Sequence, residues 1–294
     1  MKKRSSILAI CACLLAALAC VVLVGCGGQP AADKTDDAST TETTDTTEAA
    51  ESATTDAGDY TLVEDGKLIV ASDLDFPPLD SFEGGEAKGF DVELSQAIAE
   101  KMGLECEYLP PMNFDAIIPL IQQGGKADIG NSAFSITDER KKEIDFTDAY
   151  LDSNLGIAVK KDSGIAGDEA AIIEALSADG VVVAVQAGTT GQDWAEENLP
   201  KDNVRPFDSV TNCITGVSTG KFDAFVADLP VIGYQCTQFT DCEVCLEIPT
   251  GEQYGIVVSK DNPGLTAAIN DALAEMEKDG TMADLKEKWF GITE

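Results

Sequence analysis

The chain has 294 residues, which allows one large or two ordinary domains, and its 53 acidic and 20 basic residues give a formal net charge of −33. This acidity argues strongly against nucleic acid as a partner, because a phosphate backbone is bound by basic surfaces. Histidine is absent, which excludes hydrolytic triads and His-based zinc sites, since both depend on an imidazole.

The N-terminus has the pattern of an export signal. Basic residues at 2–4 precede the apolar stretch 7–24, and small residues stand directly before Cys26. This arrangement resembles the bacterial lipobox, in which the cysteine is diacylated and becomes the new N-terminus. We predict a lipoprotein signal peptide at 1–25 and a lipid anchor at Cys26, on the extracytoplasmic face of the cell membrane. An uncleaved transmembrane anchor is the alternative, since about 18 apolar residues just span a bilayer.

The residues that follow, 26–59, are predicted to form a disordered acidic tether. Thr, Ala, Asp and Glu dominate this segment, which holds no aromatic residue and only one lysine. Such a composition cannot bury enough apolar surface to offset the entropy lost on ordering, and its like charges extend the chain. The folded part is therefore expected to begin near residue 60.

The first half of the folded part alternates strands with helices. We predict a strand at 67–72, a helix between Gly89 and Gly103, a strand at 105–109, a helix at 114–123 and a strand from residue 127. Asp91 and Asn113 are expected to cap the two helices, and Pro119 is expected to kink the second one. Asp73 and Phe76 follow the first strand, where an α/β sheet places ligand groups.

The second half repeats this alternation. We predict a strand at 155–160, a helix at 168–178, a strand at 181–187, a helix around Trp194, a helix at 208–219, a strand at 220–228, a late strand at 254–260 and two C-terminal helices. Thr281 with Asp284 has the pattern of a capping box at the last helix. Alternation at this spacing is typical of βαβ units, so we predict an α/β protein with mostly parallel sheets.

The restart of the pattern near residue 154 predicts two lobes. Lobe 1 is expected to comprise 60–153 plus 252–294, and lobe 2 is expected to comprise 154–251. The strands at 155–160 and 254–260 are the candidates for crossing between them, and the C-terminal helices are expected to pack back on lobe 1.

The stretch 127–150 carries the clearest binding pattern. Small polar residues, among them Ser135, follow a short apolar run, and Arg140 comes five positions later. A guanidinium binds a carboxylate through two parallel hydrogen bonds, which a lysine cannot do. These groups are suited to the carboxylate and ammonium of a free amino acid, although a plain surface arginine at a helix start has the same local sequence.

Several segments occur in the order found in one known family: 89–99 (GFDVELSQAIA), 136–140 (ITDER), 145–150 (DFTDAY), 187–191 (AGTTG), 223–228 (DAFVAD), 253–260 (QYGIVVSK) and 288–291 (KWFG). Together they resemble the family-3 extracellular solute-binding proteins, the polar amino-acid receptors of ABC importers, with a pattern most similar to the glutamine-binding branch. The resemblance implies a type II periplasmic-binding-protein-like fold, with two α/β lobes joined by two crossing strands and the ligand in the cleft between them.

The resemblance also implies roles for individual residues at the main-chain end of the ligand. Arg140, with the backbone N–H at Thr190, is expected to bind the α-carboxylate. Ser135 and the carbonyl of Ala133 are expected to accept from the α-ammonium, and Asp228 to pair with it from lobe 2. Asp228 as a strand-end cap is the alternative.

Other residues would contact the ligand side chain. Phe76 and Phe114 match the aromatic pair that sandwiches it, Asp73 would meet its polar end, and Gln186 and Thr189 would line the opposite wall. Plain core roles for both phenylalanines and a turn role for Asp73 are the alternatives. Because Asp73 has no base nearby, an acidic ligand such as glutamate is disfavoured, and glutamine or a basic amino acid fits better.

The cysteines leave their chemistry open. Five follow Cys26: Cys106, Cys213, Cys236, Cys242 and Cys245. A disulfide between Cys236 and either Cys242 or Cys245 is expected in an exported protein, and a four-thiol zinc site is the alternative.

The predicted function is that of a monomeric, membrane-anchored binding protein. It would close on a free L-amino acid and deliver it to an ABC permease, without catalytic residues, metal or cofactor. A dehydratase-type enzyme on the same fold and a sensory amino-acid-binding module are the alternatives.

Overall fold

The computed structural model describes residues 59–292. The predicted signal peptide, Cys26 and all of the predicted tether except Asp59 lie outside these residues. Among the helices that are described, none is long and apolar enough to cross a membrane.

The strands of the described chain number thirteen. In chain order they are β1 (Lys67–Ala71), β2 (Asp75–Phe76), β3 (Asp80–Glu83), β4 (Glu86–Lys88), β5 (Glu105–Tyr108), β6 (Ile129–Gly130), β7 (Asp145–Phe146), β8 (Leu151–Lys160), β9 (Val183–Gln186), β10 (Val204–Phe207), β11 (Ala224–Asp228), β12 (Cys242–Tyr254) and β13 (Val257–Val258).

The helices between residues 59 and 292 number nine. They are α1 (Phe90–Lys101), α2 (Phe114–Gln123), α3 (Arg140–Glu143), α4 (Glu169–Leu176), α5 (Thr190–Asn198), α6 (Val210–Ser218), α7 (Leu229–Gln238), α8 (Pro263–Asp279) and α9 (Thr281–Phe290).

The first large sheet has the strand order β5-β1-β6-β13-β7. β1 runs parallel to β5 and β6, as βαβ units require, and Val70 lies opposite Ile129 in that register. β13, which follows β12 in the chain, inserts antiparallel between β6 and β7. We call the half of the molecule around this sheet lobe 1.

The second large sheet has the order β10-β9-β11-β8-β12, and we call the half around it lobe 2. β9 is parallel to β10 and β11, whereas β8 pairs antiparallel with β11 and β12. The chain enters lobe 2 through β8 and returns through β12, whose pairing shifts register between Ile248 and Glu252. The predicted late strand at 254–260 is therefore wrong in its bounds, because β12 ends at Tyr254 and residues 257–258 belong to the first sheet.

The C-terminal helices pack on lobe 1, as predicted. The rings of Phe290 on α9 and Phe90 on α1 lie 5.1 Å apart between centroids. Lys288 Nζ lies 2.7 Å from the carboxylate of Glu93 on α1. Both contacts join the start of lobe 1 to the end of the chain.

Two predicted helix caps are wrong. Gly89, not Asp91, is the N-cap of α1, because Asp91 is fully buried and its carboxylate bonds elsewhere. A Cβ on Gly89 would lie 2.1 Å from the backbone oxygen of Leu79, so the turn requires glycine. At α9 the N-cap is Gly280, and the Thr281 hydroxyl instead donates to Asp279 at 2.6 Å, which excludes the predicted capping box.

The two predictions for α2 concern its N-cap and the proline in its interior. Asn113 does occupy the N-cap position of α2, but its side chain makes no capping hydrogen bond. α2 continues through Pro119 to Gln123.

The expected disulfide in lobe 2 is also wrong. All five cysteines of the described chain, including Cys236, Cys242 and Cys245, are free thiols. Cys242 belongs to one hydrophobic cluster, against which Cys236 also packs, whereas Cys245 packs against the other cluster. Residues 59–292 contain no group of three or more His, Cys, Asp or Glu side chains placed to hold a metal ion.

Candidate functional site

A small cavity lies between the two lobes, and its free volume is about 10 Å³. Lobe 1 lines it with Phe76, Phe114, Ala133, Ser135 and Arg140. Lobe 2 lines it with Gln186, Thr189, Thr190 and Asp228. The structure thus brings together nine of the ten residues singled out from the sequence, and the tenth, Asp73, bonds to Gln186 in the cavity wall.

Arg140 opens α3 and projects its guanidinium to this cavity. Nη1 donates to the backbone oxygen of Ser135 at 2.8 Å and Nη2 to that of Gly188 at 3.0 Å, so the fork spans both lobes. The guanidinium carbon lies 5.5 Å from the ring centroid of Phe114 and 5.6 Å from that of Phe134. These two hydrogen bonds use two of the five N–H donors that an arginine carries, which leaves donors for a carboxylate.

The N-terminus of α5 faces the same cavity. Thr189 is its N-cap and accepts from the backbone N–H of Gln192 at 3.2 Å, while its own hydroxyl donates to the backbone oxygen of Gln186 at 2.8 Å. The N–H groups of the first helical turn, beginning at Thr190, have no carbonyl partner within the helix. This end of the helix therefore attracts a negative group.

Asp228 ends β11 and is buried in the cavity wall. One carboxylate oxygen accepts from the hydroxyl of Tyr254 at 2.6 Å. Burial, reinforced by the nearby Glu252 carboxylate, raises the pKa of Asp228 to about 7. A positive group placed beside this carboxylate would lower that pKa and restore its charge.

Glu252, on β12, was not singled out from the sequence. Its Oε2 atom accepts hydrogen bonds from the hydroxyls of Ser135 and Thr190, the second at 2.9 Å. The only sequence signal nearby is the QYG segment that follows it, which says nothing about an acidic side chain. Its place in the site comes from the long β12, which brings it between the lobes.

Asp73 and Gln186 form the opposite end of the cavity. Gln186 Nε2 donates to Asp73 Oδ2 at 2.5 Å and to the backbone oxygen of Asp208 at 3.3 Å. Gln186 Oε1 is buried without a hydrogen-bond partner. Burial, with a smaller contribution from the Asp80 carboxylate, raises the pKa of Asp73 to about 8. This end therefore has one buried acceptor that lacks a donor.

Two buried aspartates hold the loop that carries Ala133. Asp91 accepts from the backbone N–H of Ala133 at 2.7 Å and from the hydroxyl of Tyr150 at 3.0 Å. Asp80 accepts from the hydroxyl of Ser132 at 2.7 Å. Ala133 itself has a positive φ of 51°, so these bonds fix a conformation that alanine rarely adopts.

The aromatic wall is less open than the sequence suggested. Both Phe76 and Phe114 are more than nine-tenths buried. The Phe114 ring stacks on Phe134, with centroids 4.5 Å apart. The edges of Phe76 and Phe114 line the cavity, so each contributes both to the core and to the wall.

Comparison with known proteins agrees with this geometry. The family model for bacterial extracellular solute-binding proteins, family 3, matches residues 68–292. The chain is 33% identical to the L-cystine-binding protein TcyJ of Escherichia coli (strain K12) over 78% of this chain and 84% of that one. It is 32% identical to the arginine-binding extracellular protein ArtP of Bacillus subtilis (strain 168) over 76% of this chain and 86% of that one.

A solved structure gives the same result for the fold. An ancestral arginine-binding protein bound to glutamine superposes with a TM-score of 0.71 at 37% identity, over 77% of this chain and 99% of that chain. The predicted type II periplasmic-binding-protein fold, with two α/β lobes, is confirmed. With its matching family model, its relatives and its cleft between two lobes, this chain belongs to the bacterial extracellular solute-binding proteins of family 3.

Proposed function

We propose that this protein binds a free polar L-amino acid in the cavity between its lobes and delivers it to an ABC permease. The observation that carries the proposal is the pairing, within one cavity, of a single cation, Arg140, with the carboxylate of Asp228. A free amino acid carries the complementary charges one carbon apart. TcyJ and ArtP are named for binding cystine and arginine, which supports an amino-acid ligand.

The main-chain groups of the ligand would occupy the Arg140 end of the cavity. Arg140 and the N-terminus of α5 at Thr190 would bind the α-carboxylate. Asp228, the hydroxyl of Ser135 and the carbonyl of Ala133 would bind the α-ammonium.

The ligand side chain would point to Asp73, and we propose that it is basic. Asp73 is an acceptor, and the buried Oε1 atom of Gln186 is an acceptor without a donor. A guanidinium or ammonium carries donors only, so it satisfies both, and its charge favours the ionised form of Asp73, whereas the amide of glutamine brings no charge to pair with that carboxylate. Phe76, Phe114 and Thr189 would enclose the aliphatic part of the side chain.

The N-terminal sequence supports a proposal for the cellular location of the protein. We propose a signal peptide at 1–25, a lipid anchor at Cys26 and a tether to residue 59, which would hold a monomer on the extracytoplasmic face of the cell membrane. Lobe 1 would comprise 60–153 plus 252–294 and lobe 2 would comprise 154–251. Their closure on the ligand would be the state that the permease recognises.

A binding role is favoured over catalysis by the same residues. Acid–base chemistry needs a group free to exchange a proton with the ligand, and the sequence has no histidine. Asp73 and Asp228 already accept hydrogen bonds from Gln186 and Tyr254. One solved relative is a precursor of cyclohexadienyl dehydratase, yet it is itself an ancestral amino acid-binding protein.

A thermal-shift panel tests the proposal. The chain without its predicted signal peptide is melted with each of the twenty amino acids, with cystine and with ornithine. L-Arginine, L-lysine or L-ornithine should raise the melting temperature most, since a ligand at 100 to 1,000 times its Kd stabilises by about 3–4 kcal/mol. Absence of a shift with every compound would overturn the amino-acid assignment, and consumption of the bound compound would show an enzyme.

A further inference from the structure

Glu252 is the one carboxylate that contacts hydroxyls of both lobes at the binding cavity. Its Oε2 accepts from Ser135 Oγ of lobe 1 and from Thr190 Oγ1 of lobe 2. Both hydroxyls line the cavity between the lobes. The second oxygen, Oε1, accepts no hydrogen bond from the described part of the chain.

These two bonds fix the direction of both hydroxyls. A hydroxyl has one donor and two acceptor lone pairs, and it rotates to suit its neighbours. A carboxylate is an acceptor only, so Ser135 and Thr190 must each point their single hydrogen at Glu252. Their lone pairs are then what remains for a group inside the cavity.

The contacts around Glu252 show which end of a bound ligand Glu252 would influence. The Arg140 guanidinium donates to backbone oxygens of Ser135 and Gly188, not to Glu252, so the carboxylate-binding fork stays available. Asp228, on the same side, is close enough that the Glu252 charge helps to raise its pKa. Glu252 therefore lies behind the part of the cavity wall that Ser135, Thr190 and Asp228 form.

On its other side Glu252 borders a separate open cavity of about 450 Å³ along the two strands that connect the lobes. Ser153 and Asn154 of β8 and Leu229 of α7 form part of its wall. The carboxylate therefore stands between this solvent-accessible space and the binding cavity, and is only half-buried.

We propose that Glu252 is a positioning residue that makes the site select an α-ammonium. By holding the Ser135 and Thr190 hydroxyls as donors to itself, it presents their lone pairs to the ligand amine. This inference rests on the proposed function and adds to it a residue outside the family segments that point to the site.

The test compares two ligands that differ only at the α-position. Isothermal titration calorimetry gives the Kd of L-arginine and of its α-hydroxy analogue for the unsubstituted protein and for Glu252→Gln. The Kd for L-arginine should rise about tenfold in the variant, from the loss of charge-assisted hydrogen bonding. The Kd for the hydroxy analogue should change less than twofold, so the preference for the amine falls. A purely structural defect would weaken both ligands equally and would overturn the proposal.

Two controls separate the hydroxyls from a general effect of charge. Glu243→Gln removes the same charge from an exposed position of β12 and should leave both Kd values unchanged. In a Ser135→Ala/Thr190→Val background, Glu252→Gln should cause no further loss, because the groups through which it acts are gone. A loss that persists there would show a long-range field and overturn the proposal, as would tighter L-arginine binding by Glu252→Gln.

The choice of ligand does not decide the outcome. If the unsubstituted protein prefers L-glutamine, the pair becomes L-glutamine and its α-hydroxy analogue, since the amine is common to both. Binding of no amino acid of the thermal-shift panel by the unsubstituted protein would overturn the proposed function and this inference with it. Normal binding by the unsubstituted protein with no effect of Glu252→Gln would overturn only the inference.

Discussion

The two ends of the binding cavity differ in their chemistry. The end at Arg140 and Asp228 offers a fixed cation, a helix N-terminus and a carboxylate, so it can satisfy both signs of charge. The end at Asp73 and Gln186 offers one carboxyl group and one buried acceptor, Gln186 Oε1, that has no donor.

This difference separates general recognition from selectivity. Every free amino acid has a carboxylate and an ammonium, so the first end would hold what all candidate ligands share. Side chains differ, so the second end would decide among them through the cost of leaving acceptors unpaired. Substitutions at the first end should therefore weaken every ligand, and substitutions at the second should weaken only some.

The largest effect is expected from Arg140→Ala. Removing the guanidinium leaves a ligand carboxylate desolvated without its bidentate partner, so affinity should fall about a hundredfold or more for any amino acid. Calorimetric titration with L-arginine and with L-glutamine measures it.

Arg205→Ala is the matched control, because Arg205 lies exposed on β10 and donates only to the neighbouring Val204 oxygen at 2.9 Å. It should leave both affinities unchanged. A loss with Arg140→Ala confined to one of the two ligands would contradict a general carboxylate-binding role.

A smaller and selective effect is expected from Asp73→Asn. Affinity for L-arginine should fall about tenfold, while affinity for L-citrulline, which has the same shape without the side-chain charge, should change little. The ratio of the two Kd values is the measured quantity, and Asp65→Asn, at an exposed carboxylate of lobe 1, is the control. Equal losses for both ligands would place the ligand side chain away from Asp73.

The affinity for L-arginine should depend on pH through two carboxyl groups of the cavity, those of Asp73 and Asp228. Burial raises the pKa of Asp73 to about 8 and that of Asp228 to about 7. Below these values the carboxyls hold protons that a cationic ligand must displace, so L-arginine should bind at least about tenfold more tightly at pH 8 than at about pH 5.5. Titration in buffers of different ionisation enthalpy counts the released protons. Uptake of protons when L-arginine binds, instead of their release, would contradict this prediction.

The stability of the empty protein should change in the opposite direction. A carboxyl whose pKa is raised by folding stabilises the fold fully below its unfolded pKa, and that contribution is lost as the pH rises through the folded value. Asp80, whose pKa burial raises to about 6, adds to Asp73 and Asp228. Calorimetric melting without ligand should therefore show stability falling between about pH 4 and pH 8. A rise over that range would contradict the assigned burial.

The sequence predicted the positions of those site residues that are set by local pattern and by strand ends. Parallel strands end at the same edge of a sheet, so Asp73, Ser135, Gln186 and Asp228, each at or just beyond a strand end, converge without any knowledge of distances. Arg140 was recognisable because arginine is rare in this chain. Nine of the chosen residues line one cavity, and several of them, such as Phe114 and Thr190, were predicted from the resemblance to the family and not from strand ends.

The sequence did not predict side-chain positions that depend on pairing between segments far apart in the chain. Asp91 has the local pattern of a helix cap, but the strand–loop packing of lobe 1 draws its carboxylate to Ala133 and Tyr150. Glu252 reaches the cavity only because β12 pairs with β8 over a long, register-shifted ladder. Neither fact is encoded within a short window of residues.

The path of the chain through the two sheets sets the order in which they can be completed. All strands of the lobe 2 sheet lie in one continuous stretch, from Leu151 to Tyr254. The lobe 1 sheet instead needs β13, whose Val258 pairs with Ile129 only after the whole of lobe 2 has been made. Closing so long a loop is entropically costly and slow. During synthesis, lobe 2 can fold as soon as it emerges. The lobe 1 sheet lacks its inner strand β13 until the last forty residues of the chain are made.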